Sequence, residues 1–301
     1  MESGLILGVY ILTFLIGLPT NILSLCAFSI KIRTRPMPAD ILLLNLTVSD
    51  LLFLFFLPLK MHEAASNMRW NLPFFLCSVT SFFFFSTIYT SSLLLMAVSV
   101  DRYLGAAFPI RYKLCRKPLY AAAGSAFIWL FSSAHCSIVF FTEYLDTGNS
   151  SIDPSICYEN FTSEQLKILL PVRLEFFFVL FLGPLLICTF CYLNCIHILY
   201  TRPRICSSKR QKAMGMALGT LLVFVICFFP YNLTHLMGYL DGKSPEWRYY
   251  TLLLSTFNTC LDPIIFYFSS STFQATVKYS LCKVLHCWHK PALAIEAASN
   301  S

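Results

Sequence analysis

The sequence predicts an all-α membrane protein, a seven-transmembrane helix bundle with a short amphipathic helix near its C-terminal end. Three observations carry that reading. Apolar residues make up 57% of the 301 and charged residues only 12%, about half the charged share of a soluble domain. Mean hydropathy is +0.67. Seven apolar runs, near 5–30, 39–59, 74–100, 119–141, 168–200, 213–240 and 249–268, each reach the roughly 20 residues that a spanning helix needs.

The first run begins at Leu5 without a basic stretch before it and is long enough to span, so it reads as an uncleaved anchor helix. The third organises the chain, with Cys77 at one end and Asp101-Arg102-Tyr103 at the other. About 23 residues separate them, enough helix for a bilayer core of ~30 Å. Pro19, Pro58, Pro184, Pro230 and Pro263 punctuate the runs. Membrane helices tolerate such breaks when neighbours satisfy the freed carbonyls.

Loop charge orients the bundle. Lys31, Arg33 and Arg35 fill the first loop, Arg111, Lys113, Arg116 and Lys117 the third, and Arg202, Arg204, Lys209, Arg210 and Lys212 the fifth. Lys278, Lys283 and Lys290 follow the seventh run, whereas Glu143, Asp146, Asp153, Glu159 and Glu164 dominate the fourth loop. Basic loops stay in the cytoplasm, which places the N-terminus outside and the C-terminus inside. The formal charge of +7 is mostly this bias and does not signal nucleic-acid binding. An outer fourth loop also makes Asn149 and Asn160 glycosylation acceptors and exposes Cys157 to an oxidising compartment together with Cys77, so a Cys77–Cys157 disulfide is expected. Residues 1–270 then form the seven-helix bundle, 271–290 an amphipathic helix on the inner membrane face with Cys282 or Cys287 as palmitoylation sites, and 291–301 a disordered tail.

Motifs narrow the reading. Asn21, Asn45-Leu-Thr-Val-Ser-Asp50, Asp101-Arg102-Tyr103, Trp129, Cys227-Phe-Phe-Pro230 and Asp262-Pro-Ile-Ile-Phe-Tyr267 stand in order on the first to fourth, sixth and seventh runs. The chain thereby resembles the rhodopsin-like G-protein-coupled receptors over nearly its whole length. It departs from that pattern at Phe228, where the family usually has Trp, at Asp262 for Asn, and at Phe266 for Tyr, with Tyr267 one place later. Further stretches, among them Glu63-Ala-Ala-Ser-Asn-Met-Arg-Trp70, Cys157-Tyr-Glu-Asn-Phe-Thr162, Leu170-Pro-Val-Arg-Leu-Glu175 and Lys243-Ser-Pro-Glu-Trp-Arg248, resemble the short-chain free fatty acid receptors. Arg111-Tyr-Lys-Leu114 and the run from Cys157 lean towards the type 2 branch. The resemblance implies that Arg173 and Arg248 clamp a carboxylate, that His135, Tyr231 and His235 assist, and that Asp101, Arg102, Tyr103, Phe228, Pro230, Asp262, Pro263, Phe266 and Tyr267 form the activation switch. It also implies heterotrimeric G proteins of the Gi/o and Gq classes and arrestin as partners, with the plasma membrane as location.

The residues alone support part of this. A charge deep in a spanning helix costs ~2.5–3.5 kcal/mol on insertion scales, so Arg173 and Arg248 should face a wet cavity or a partner. Arginine's planar fork suits a carboxylate. The alternative is that either arginine snorkels to the outer interface. Glu175 lies about 200° around the helix from Arg173 and is a poor partner for it. Glu159, tethered through Cys157, is expected to neutralise an arginine when no ligand is bound. Asp50 and Asp262 read equally well as a Na⁺ site completed by Ser91 and as a structural polar network. Arg102 beside Asp101 reads as a latch.

Other features carry less. Cys188, Cys191 and Cys195 have ligand-like spacing but read as core, and Gly215-x-x-x-Gly219 as a helix-packing notch. No Gly-x-Ser-x-Gly, His-Glu-x-x-His or phosphate loop points to an enzyme, a metal centre or a resident cofactor other than Na⁺. The sequence therefore points to a receptor for short-chain carboxylates such as acetate, propionate and butyrate. A receptor of the same fold for another small organic anion, a carboxylate transporter and a non-signalling scaffold are the alternatives.

Overall fold

A computed structural model describes residues 2–115, 117–144, 156–159, 161–201 and 207–269, with 274–275, 277–279 and 282 beyond them. All regular structure among the described residues is helical. The first three spans are single helices, α1 (Glu2–Thr34), α2 (Pro38–Ala65) and α3 (Phe74–Ala107). A short α4 (Pro109–Cys115) precedes the fourth span, which is α5 (Pro118–Cys136) continued after Ser137 by α6 (Ile138–Tyr144). Pro38 and Pro118 stand in the first turns of α2 and α5, where a missing N–H costs nothing.

The fifth and sixth spans each contain a π-helical stretch. α7 (Ser163–Glu175) passes through Phe176–Leu182 into α8 (Gly183–Thr201). α9 (Ser207–Val223) passes through Phe224–Phe228 into α10 (Phe229–Asp241). The seventh span is two helices, α11 (Arg248–Thr256) and α12 (Asn258–Ser269), meeting at Phe257. Six of the spans are long and apolar enough to cross a membrane as continuous helices. The seventh reaches the same length only when its halves are taken together, a break that its apolar run does not reveal.

The prolines explain where the helices loosen. Pro184, Pro230 and Pro263 each remove an N–H from the ladder, and a side chain from another span takes up a carbonyl nearby. Ser92 of α3 donates to the Leu180 carbonyl, four residues before Pro184, at 3.1 Å. Asn21 of α1 donates to the Thr259 carbonyl, four residues before Pro263, at 2.8 Å. Ser255 of α11 donates to the Cys227 carbonyl, inside the π turn preceding Pro230, at 2.8 Å. Trp129 Nε1 adds a bond from α5 to Asn45 Oδ1 at 3.2 Å. Gly219 is a packing notch, since a methyl there would meet Ile265 at 3.1 Å, while Gly215 faces open space.

Most of α3 is buried inside the bundle, whereas the first and fourth spans leave most of their surface outside. The expected Cys77–Cys157 disulfide is present and packs under the buried Trp70. It draws residues 156–159 over one end of the bundle. Asn149, Asn160 and Cys287 lie outside the described residues, and Cys282 is exposed.

Candidate functional site

Thr162 starts α7 with a reciprocal cap, its hydroxyl accepting from Gln165 N while Gln165 Oε1 accepts from Thr162 N. Gln165 Nε2 also donates to the Thr142 carbonyl at 2.9 Å, tying α7 to α6. Three turns later Arg173 enters the bundle and is only 4% exposed. Its Nη1 donates to Ser244 Oγ at 2.6 Å, its Nη2 has no hydrogen-bond partner, and its guanidinium lies 4.9 Å from the Phe161 ring centre. Arg248 opens α11. Its Nη2 donates to Tyr231 Oη at 3.0 Å, its Nε has no partner, and the rings of Tyr231 and Phe85 flank it at 5.4 and 5.7 Å.

Neither arginine is in an ion pair with a described carboxylate. Two like charges lining one small space repel each other. Both line one small space with Tyr89, Cys136, Tyr158, Phe176, Tyr231 and His235. Its free volume is about 20 Å³, room for about one water. A wider cavity of about 280 Å³ opens beside it, lined by Lys60, Glu159, Ser244, Glu246 and Tyr249, and shares Phe85, Tyr158 and Arg248 with the inner one. Phe85, Tyr158 and Arg248 therefore stand between the two, Tyr158 with a left-handed backbone at φ 53°.

His235 is 2% exposed; its Nε2 meets Tyr89 Oη at 2.9 Å and its Nδ1 has no partner. Tyr231 is equally buried and its ring packs edge-on against His235. His135 is placed differently. Its Nε2 faces Glu175 Oε1 at 3.1 Å, its Nδ1 meets the Phe131 carbonyl, and it does not line the inner cavity. Glu175 thus turns away from Arg173, as the helical spacing required. Glu159 lies in the outer cavity with Arg248 rather than in the inner one. Partial burial and the nearby Glu63 raise its carboxyl above the ordinary value, against the opposing pull of Lys60 and Arg248.

Tyr89, Tyr158, Ser244 and Phe161 were not singled out from the sequence. Tyr158 had a usable signal, since it follows a cysteine expected to be tethered to the third span.

Farther along the bundle Asp50 and Asp262 lie 2% and 0% exposed. Both Asp262 oxygens and Asp50 Oδ2 have no hydrogen-bond partner among the described residues. Thr259 reaches Asp50 Oδ1 at 3.5 Å, the edge of bonding distance, while Ser91 bonds Ser49 at 3.2 Å. At the far end Asp101 accepts from Tyr112 Oη of α4 at 2.5 Å. Phe228 and Phe266 are buried, Phe228 against Phe224 and Phe266 against Phe28. Pro230 and Pro263 lie inside α10 and α12, Tyr267 follows on α12, and Tyr103 packs on Phe190.

Residues 20–266 match the model of the seven-transmembrane receptors of the rhodopsin family. Free fatty acid receptor 3 of Mus musculus is 50% identical over 93% of this chain and 88% of its own length. Free fatty acid receptor 3 of Homo sapiens is 48% identical over 94% and 82%, and free fatty acid receptor 2 of Homo sapiens 49% over 90% and 83%. Identity over the chain does not separate the type 2 from the type 3 relatives.

Proposed function

The chain belongs to the rhodopsin family of seven-transmembrane receptors, among the free fatty acid receptors, and from that premise we propose that short-chain carboxylates activate it by bridging Arg173 and Arg248. The observation that carries the proposal is the pair of arginines in one small cavity, without a described carboxylate partner and with N–H groups left over. An anion between them would relieve their repulsion and satisfy Arg173 Nη2. Tyr231 holds Arg248 in place and His235 closes the wall. Because the inner cavity has room for about one water, its wall, of which Phe85 and Tyr158 face the wider cavity, must move for even acetate to enter. His135 acts on this reading through Glu175 rather than by touching the ligand.

Small size limits affinity. The best tiny ligands reach about −1.5 kcal/mol per heavy atom, so acetate has a ceiling near −6 kcal/mol and a dissociation constant on the order of tens of micromolar. Closure of the fifth to seventh spans around the acid shifts a pre-existing equilibrium towards a state that opens the Arg102 end to a G protein. Our reading places the receptor in the plasma membrane with its N-terminus outside, couples it to Gi/o and Gq proteins and arrestin, and retains glycosylation at Asn149 and Asn160 and palmitoylation at Cys282 or Cys287. Asp50 and Asp262 fit a Na⁺ ion, because their partnerless buried oxygens need a cation or a proton. The relatives are receptors, not enzymes, and none is named a transporter.

The test is G-protein activation in cells expressing the chain, titrated with formate, acetate, propionate, butyrate and hexanoate beside acetamide. The short acids should activate and acetamide should not. Arg173→Ala and Arg248→Ala should each weaken the response about 30-fold or more, since each removes charge-assisted bonds. Responses that survive both substitutions would reject the clamp.

A further inference from the structure

We propose that the cleft where α4 meets the ends of α3 and α5 binds one anionic phospholipid of the cytoplasmic leaflet, its acyl chain in the cleft and its head on Arg111 and Lys117. The inference rests on the orientation proposed above and not on the arginine clamp.

The cleft holds about 620 Å³. Leu42, Val100, Leu104 and Ile128 give it apolar walls. Ala97, Ala121 and Gly124 leave the room, since a methyl at Gly124 would meet nothing within 4 Å. The lining residues Leu104, Phe108 and Tyr120 are exposed, and the fourth span leaves most of its surface outside the bundle. In a membrane such a surface meets lipid, so hydrocarbon rather than water fills the cleft.

Depth and charge select the occupant. From Lys117 to Ile128 the wall runs about 16 Å along α5 at 1.5 Å per residue, half of a ~30 Å bilayer core and so the depth of one leaflet. The loop end of that wall is basic. Arg111 and Lys117 line it and are exposed, with Lys113 and Arg116 beside them in the sequence. Asp101, the carboxylate among the lining residues, accepts from the Tyr112 hydroxyl and leaves the cations in excess. Basic loops place this end in the cytoplasm, where the leaflet carries the anionic lipids. A phosphatidylcholine head is neutral and answers the apolar walls but not the two cations.

The same short helix connects the lipid to signalling. α4 carries both Arg111 and Tyr112, and Tyr112 holds Asp101 beside Arg102. A head group on Arg111 steadies that contact and assists G-protein coupling from the membrane side.

The experiment places the full-length receptor in nanodiscs of phosphatidylcholine, alone or with equal parts phosphatidylserine. Either lipid is supplied as a probe with a photoreactive group midway along one acyl chain, and adducts are mapped by mass spectrometry. Acetate-driven nucleotide exchange on a G protein is read in the same discs. The phosphatidylserine probe should label the stretch from Ala121 to Ile128 about tenfold or more above the phosphatidylcholine probe, as two basic side chains at an anionic surface predict. Exchange should be faster with phosphatidylserine present. Gly124→Phe should fill the cleft and remove the label. Arg111→Gln combined with Lys117→Gln should keep a label there and make the two probes equal. Both variants should lose the gain in exchange, taken as the ratio between the two discs of each variant. Should Gly124→Phe not fold, the charge variant decides alone. Equal labelling by the two probes in the unaltered receptor overturns the site. Labelling by a photoreactive oleate that excess phosphatidylserine does not reduce assigns the cleft to a free fatty acid and overturns it too. A selective label without any gain in exchange overturns the effect on coupling. A receptor that keeps the selective label while ignoring acetate supports the lipid site and rejects the clamp.

Discussion

Arg248 is held by a phenol and two aromatic faces, and none of these cancels its charge. Glu159, one of two carboxylates lining the outer cavity, interacts with that charge from there. Its raised pKa means that the fold disfavours its charged form. The penalty is present above the folded pKa and is relieved as pH falls through it. Protonation then frees Arg248 for the ligand, while acetate itself stays mostly ionised down to about pH 5.5. Acetate should therefore become more potent between pH 7.4 and 5.5. Much of Glu159 is exposed, so the gain should be modest, about two- to fivefold. Glu159→Gln should give the more potent curve at both pH values and flatten the dependence. An unchanged slope in that variant would remove Glu159 from the site. The arginines were legible in the sequence because a charge in an apolar run demands an explanation. Their aromatic and hydroxyl neighbours were not, because Tyr89 and Ser244 are ordinary residues until the fold brings them to Arg173 and His235.

Helices in this bundle were legible where length and hydropathy decide, and illegible where a local contact does. The seven runs match the seven spans. The π stretches and the break at Phe257 depend on which neighbour supplies a hydroxyl or amide to a freed carbonyl, as Ser92, Ser255 and Asn21 do. Apolar periodicity carries no record of that pairing. The turn from α10 to α11 shows how such a contact reaches the site. Gly242 is left-handed at φ 67° and turns the chain back over α10. A methyl at Gly238 would lie 3.2 Å from the Lys243 carbonyl and 3.3 Å from Pro245 Cδ. That close approach is what lets Ser244 descend to Arg173. Gly238→Val should lift the turn, break the Ser244 contact and loosen the start of α11 at Arg248. We expect surface expression close to the parent and acetate potency lower by about tenfold, the worth of one hydrogen bond to a charged group. Unchanged potency would show that the turn adjusts without moving Ser244.

On the scale of the whole molecule, the ligand end and the Arg102 end are joined by α3 and by a buried pair of acids midway. Asp50 belongs to α2 and Asp262 to α12, so whatever satisfies them fastens the second span to the seventh. Three oxygens of the pair have no hydrogen-bond partner among the described residues, and unsatisfied buried charge is costly enough that a cation or a proton must be supplied. A cation that prefers the separated, inactive arrangement must oppose the acid that prefers the closed one, since each ligand shifts the equilibrium only through its differential affinity. Replacing external Na⁺ with N-methylglucamine at constant chloride should then make acetate about fivefold more potent, a coupling at the small end of the usual range. Asp262→Asn should abolish the Na⁺ effect, because the remaining acid no longer concentrates charge at one point. The Gly238→Val receptor should keep it, because its defect lies at the ligand end. Identical acetate curves in the two media would mean that a proton shared between Asp50 and Asp262 holds the spans together, and that the ends communicate through packing on α3 alone.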